Sequence, residues 1–174
     1  MSTKQIQQNL WQVDFPMQGL GFSHVWLRRE TYENFPYELL RPECRVIIVD
    51  LSKFIAMIEN NDPEYVVSEF NTWAAEKQLG IIEFMRPNEI SDFQGNGSVL
   101  MPVVGHHHRK EIDPMPWWKF RSPRLTRTIE YASFANGRHR TRFLQYAGAA
   151  DMPIEVDPSS VDWYMRTCGI SIER

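Results

Sequence analysis

The stretch that most restricts the folds open to this chain runs from Thr128 to Val156, where strand periodicity gives way to helix periodicity and then returns. From Thr128 to Phe134 the side chains alternate, Ile129, Tyr131 and Ser133 on one face and Glu130, Ala132 and Phe134 on the other, which predicts a strand. Asn136-Gly137 then breaks it, because glycine adopts positive φ without a Cβ clash. From Arg138 the apolar positions become Phe143, Leu144 and Ala147, one side of a helix that Gly148 stops. M-P-I-E-V at Met152 to Val156 resumes an extended run.

Such a unit leaves the first amides of the helix without carbonyl partners, beside Arg138, His139, Arg140 and Arg142. Open N–H donors, the positive end of the helix dipole and guanidinium forks all favour an anion in one place. Asn136, Gly137, Arg138, Arg140 and Arg142 are therefore the candidate phosphate contacts, with Gly137 allowing a ligand to approach the backbone. The competing reading of the same residues is a solvated basic face.

A second basic region precedes it. Between Lys119 and Arg142 seven lysines and arginines face one acid, Glu130. Trp117, Trp118 and Phe120 interleave with Lys119, Arg121, Arg124 and Arg127, a pattern suited to stacking bases between cations, so these four are the candidate nucleic-acid contacts. The alternative is a long loop, permitted by Pro114, Pro116 and Pro123, whose tryptophans pack on the core.

The remaining chain bounds the answer. With 174 residues and 43% hydrophobic content it can bury one core, and a single unit over 1–174 is expected. A formal net charge of −3 gives no global pull on polyanions, so such contacts must be local. No apolar run approaches a bilayer span and the N-terminus lacks a signal core, which predicts a cytoplasmic chain without membrane insertion. Cys44 and Cys168 fit no metal spacing and are expected as free thiols. Residues 1–45 carry too many aromatics for a tail and are expected to pack on a core over 46–156 as an extra layer, or to offer a partner surface. Val46 to Val49 reads as a buried strand, Ser52 as the cap of a helix from Lys53 to Glu59, and Pro63 to Gly80 as a second helix followed by a strand over Ile81 to Met85. Ser91 to Ser98 reads as a glycine loop and Val99 to Val104 as a strand. His106-His107-His108 reads as a polar hairpin loop in preference to a metal site, since three adjacent histidines point apart and no carboxylate or cysteine lies at a zinc-motif spacing; a histidine leaning over a bound phosphate is the other role open to any of the three. Over 157–174 the pattern predicts a helix facing Val161, Tyr164, Met165 and Cys168 inward, ended by Gly169, and a terminal strand over Ile170 to Ile172.

At Gly137-Arg138-His139-Arg140 the chain resembles the ParB/sulfiredoxin-like superfamily, whose G-E-R-R or G-C-H-R signature also follows a strand and opens a helix. More closely, M-P-V-V at Met101 to Val104, Y-A-S-F-A-N-G-R-H-R-T-R-F-L at Tyr131 to Leu144 and M-P-I-E-V are similar to the plasmid fertility-inhibition proteins, the Osa-like group, with V-I-I-V-D-L-S-K-F at Val46 to Phe54 resembling that family's first strand. The position of the sulfiredoxin cysteine is Arg138 here, which removes the thiolate that sulfinic acid reduction needs. Eighteen residues beyond Val156 are too few for the helix-turn-helix domain of ParB proteins.

The resemblance implies an α+β fold, a small mixed sheet flanked by helices, in a plasmid-encoded inhibitor of conjugative or type IV secretion DNA transfer. It also implies ATP-dependent DNA cleavage or nucleotide hydrolysis as an activity to weigh against plain binding. The catalytic residues would be His139 for proton transfer and Arg138 and Arg140 for the phosphates. The cofactors would be ATP or CTP with Mg2+, and Glu130 or Asp50 would supply a carboxylate ligand. The alternative is a non-catalytic nucleotide- or DNA-binding module that acts by docking on a coupling ATPase or a relaxase.

Overall fold

A computed structural model of the chain describes residues 2–29, 44–61, 67–87, 98–112 and 126–172. The fold is mixed α+β, as the sequence predicts, with two sheets sharing one apolar core. The first sheet is built from β1 (Thr3–Gln7), β2 (Leu10–Asp14), β3 (His24–Arg28) and the short β5 (Val99–Leu100), in that order. The second has the order β7 (Thr126–Phe134), β6 (Val103–Ile112), β8 (Asp151–Val156), β4 (Arg45–Asp50), β9 (Gly169–Ile172). Helices α1 (Leu51–Asn61), α2 (Ala75–Met85), α3 (Arg138–Ala147) and α4 (Val161–Thr167) complete it.

The apolar run at the start of β4 is buried because β8 and β9 pair with it on either side, leaving Ile47 and Val49 without exposure. Trp11 and Val13 of β2, Val25 and Leu27 of β3 and Phe15 beyond β2 join the same core, and Phe15 meets Phe143 of α3 edge to face at 6.1 Å. Ser2 and Thr3 are fastened to buried Asp151 at the start of β8, whose carboxylate accepts from both backbone amides.

Residues 100–103 sit where the sheets meet. Leu100 closes the parallel pairing of β5 with β3, the carbonyl of Pro102 accepts from the amide of Glu155 at 2.9 Å, and Val103 begins β6 beside β8. Beyond Val104 the described part of β6 pairs only with β7, so the two strands continue as an antiparallel ribbon.

Several local expectations change. Asp50, not Ser52, caps α1, its carboxylate accepting from the amide of Lys53 at 2.9 Å, because the helix starts at Leu51 directly from the strand. Pro63 to Val66 of the second expected helix lie outside the described residues; from Val67 on, the helix begins at Ala75, and Phe70–Thr72 is a single 3-10 turn, with the indole N–H of Trp73 donating to the carbonyl of Ser68 at 2.9 Å. Gly80 lies inside α2 with open space about it, so Ile81 to Met85 is helix and not strand. The histidine triplet is no hairpin loop but the middle of β6, and Ser91 to Gly97 lies outside the described residues.

Candidate functional site

Two constraints make residue 137 glycine. It has φ +86°, and a Cβ there would fall 2.7 Å from Cα and Cβ of Pro102. The turn is stitched to the same segment by Asn136, whose side-chain oxygen accepts from the amide of Val103 at 3.0 Å, and by Ala135, whose amide donates to the carbonyl of Val103 at 2.9 Å. The close neighbour that demands glycine is therefore the chain itself, whereas the sequence suggested a ligand.

Arg138, His139 and Arg140 leave α3 in different directions, as successive positions on a helix must, while Arg142 follows Arg138 along the same face one turn deeper. Arg138 is exposed and, with Glu59, Thr141 and Arg142, borders a small depression lined by Ile55, Ile58, Val67 and Phe134, between α1 and α3. His139 lies edge-on to Trp73, ring centres 5.3 Å apart, and Nζ of Lys77 sits 4.4 Å over the same indole. Burial holds the His139 imidazole below its ordinary pKa, and Lys77, Arg138 and Arg140 push it the same way. Three cations thus act on one neutral imidazole at the helix start.

Arg140 donates to the carbonyl of Leu100, joining α3 to the seam between the sheets. Arg142, expected as a phosphate contact, is 5% exposed and committed inside the fold. Its guanidinium donates to the carbonyl of Val67 at 2.8 Å, to the side chain of Gln145 at 2.8 Å and to Glu59 at 2.5 Å. The reason is its place on the helix: position 142 turns toward α1 one turn after Arg138, beside the buried Phe143.

Among the expected nucleic-acid contacts only Arg127 is described; Lys119, Arg121 and Arg124, with Trp117, Trp118 and Phe120, lie outside the described residues. Arg127 on β7 pairs with Glu111 at 3.0 Å, and Arg109 reaches the same carboxylate at 2.8 Å, which holds the Glu111 carboxyl below its usual range.

Of the two carboxylates considered for a metal, Asp50 caps α1, while Glu130 faces histidines. On β6 the side chains alternate, so His106 and His108 share a face and His107 takes the other, where it bonds Ser133 Oγ at 2.7 Å. His108 pairs across the ribbon with Glu130, and Oε1 of Glu130 lies 3.7 Å from Nε2 of His106 and 3.7 Å from Nδ1 of His108. Burial, with His108 adding to it and Glu130 opposing, lowers the pKa of His106, whose ring stacks on Trp163 at 4.2 Å. The sequence argument that adjacent histidines point apart holds for neighbours but not for positions two apart on a strand.

Trp73 itself belongs to the apolar core, and sequence reasoning does not single out Lys77. The spacing carries no such signal, because Trp73 lies before the start of α2 and meets Lys77 of its first turn only through the extended joint at Trp73 and Ala74.

Compared with known proteins, residues 46–169 match the family model described as Plasmid Fertility inhibition factor. Among solved structures, the crystal structure of the Oncogenic Suppression Activity Protein, titled a plasmid fertility inhibition factor, is similar with a TM-score of 0.51 at 11% identity. That likeness covers 97% of this chain and 74% of the other, and at this identity it speaks for the fold alone. No curated protein sequence matches.

Proposed function

We propose, because this chain belongs to the plasmid fertility inhibition factor family, that it restrains conjugative DNA transfer and binds a phosphate-bearing ligand, nucleotide or DNA, at the start of α3. The observation that carries the reading is the concentration of Lys77, Arg138 and Arg140 around His139, beside the first amides of a helix. Arg138 and Lys77 would meet the phosphate. Trp73, buried beneath them, would hold His139 and Lys77 in place, and His139 would take up a proton as the anion arrives, because a nearby negative charge favours the imidazolium. Arg142 and Arg140 would act through the fold, fixing the helix on α1 and on Leu100.

Binding is favoured over hydrolysis by what surrounds His139. No acid acts on its imidazole among the described groups that shift it, Asp50 is used as a helix cap, and Glu130 faces two imidazoles on the ribbon. Among the described residues the carboxylate nearest α3, Glu59, is engaged by Arg142, which leaves Mg2+ a poor set of oxygen ligands there, and a nucleotide would be gripped by cations.

The test is thermal shift and calorimetry with ATP, CTP and single-stranded DNA, with and without Mg2+, on wild type and on Arg138→Ala with Lys77→Ala. The reading predicts a shift that needs the phosphates, affinity that grows as pH falls through 6.5 toward the lowered His139 value, as binding draws a proton onto that imidazole, and at least about tenfold weaker binding in the double variant. Unchanged binding in that variant would defeat it. Nucleotide turnover abolished by His139→Gln would instead establish the catalytic alternative.

A second reading rests on α2, which exposes Leu79 at 66% and Phe84 at 57%, on the helix that also carries Lys77. This face would dock on a protein of the transfer machinery, such as a coupling ATPase or relaxase. Leu79→Ser with Phe84→Ser should then abolish inhibition in a mating assay while nucleotide affinity is retained; inhibition that persists removes this reading.

A further inference from the structure

We propose that His106, His108 and Glu130 form a binding site for one divalent transition-metal ion of the Zn2+ type, on the ribbon formed by β6 and β7. The three donor atoms all lie within 4.8 Å of one another, and two of the separations are 3.7 Å. Donors at Zn–N and Zn–O distances of about 2.0–2.1 Å in a tetrahedron stand roughly 3.3 Å apart, so two pairs are within a few tenths of an ångström of that arrangement. The third closes by rotation of His108 and Glu130, whose side chains are 58% and 46% exposed.

Burial of the remaining donor supplies the second observation. The side chain of His106 is 10% exposed, and its Nε2 is buried without a hydrogen-bond partner while directed at Glu130. A buried ring nitrogen without a partner is uncommon in a folded protein and calls for an explanation. An ion between the three groups would satisfy it. The ring cannot easily turn away, because it stacks on Trp163, and the next residue of α4, Tyr164, donates its hydroxyl proton to the carbonyl of Gly105 at 2.9 Å. Two imidazoles and one carboxylate suit Zn2+, Co2+ or Ni2+ and disfavour Mg2+, which prefers an all-oxygen shell. Three protein ligands leave a position for water or an anion. This site is separate from the phosphate reading.

The experiment is calorimetric titration of the chelator-treated full chain with ZnCl2, backed by the visible spectrum of the Co2+ form. Expected are one ion per chain, no displacement by millimolar Mg2+, and a thermal shift that saturates with that ion. His108→Ala and Glu130→Gln should each weaken binding at least about tenfold, and His107→Ala, on the opposite face, should not. Equal Zn2+ affinity in His108→Ala, Glu130→Gln and wild type, or an equal loss in His107→Ala, overturns the proposal, as does displacement by Mg2+.

Discussion

Replacing Gly137 by alanine separates two costs that the turn before α3 combines. At φ +86° an L side chain costs about 1–2 kcal/mol. Its Cβ would also stand 2.7 Å from Cα and Cβ of Pro102, and overpacking of this kind costs roughly 1–3 kcal/mol. Because one of the two atoms is backbone, the clash cannot be relieved by a rotamer change. The combined loss is about 2–5 kcal/mol, on the order of 5–15 °C in melting temperature for a chain of this size. Gly19 supplies the control: it has φ +90°, and a Cβ there would meet nothing within 4 Å, so Gly19→Ala should lose only about 1–2 kcal/mol. Urea unfolding followed by tryptophan fluorescence gives both values from the midpoints, provided the slopes agree. Equal losses in the two variants would refute the claim that Pro102 dictates glycine at 137. They would leave the ligand-approach reading as the better reason for that residue.

Arg142→Ala should cost about 2–4 kcal/mol, since it strips buried acceptors of their donor and leaves a gap, whereas Glu59→Gln, at the half-exposed end of the pair, should cost about 1 kcal/mol; chemical denaturation showing the reverse order would contradict the placement of the guanidinium. Burial and Asp50 push the Cys168 thiol up to about 12, so a thiol reagent should modify partly exposed Cys44 in the native protein and reach Cys168 only in denaturant. His24 and His139 both have pKa values below the ordinary 6.5, burial being the main cause in each, with Asp14 partly opposing at His24. The unfolded chain therefore binds more protons just below that pH, so stability is fully present above 6.5 and declines as pH falls through 6.5 toward the folded values. Urea midpoints at neutral and mildly acid pH should show the decline, and His24→Gln with His139→Gln should shrink it to the part that His106, lowered in the same direction, contributes.

What the chain discloses without coordinates is what depends on near neighbours. Strand β7, the glycine joint, α3 and β8 follow from alternation, one positive-φ residue and helical spacing, and each is found within a residue or two of its expected bounds. The fate of a side chain on those elements is less local. Whether an arginine at the start of α3 faces solvent or the interior depends on what α1 presents, and Glu59 lies far from Arg142 in sequence. The meeting of Glu130 with His106 and His108 depends on the register of two strands, which no zinc-type spacing encodes. Helix α2 departs from expectation at Gly80, since glycine in a sequence reads as a stop signal, although an exposed glycine within a helix is merely unfavourable by about 1 kcal/mol.

The four residues from Leu100 to Val103 have a mechanical consequence. They are gripped by Arg140 at one end and Asn136 at the other, while Glu155 and β3 hold them from the sheets. A tug on the first turn of α3 is thereby felt in both layers at once, with little slack to absorb it. A molecule arriving there meets a surface that is already set, so its capture should proceed at the pace of encounter, without a slow rearrangement afterwards.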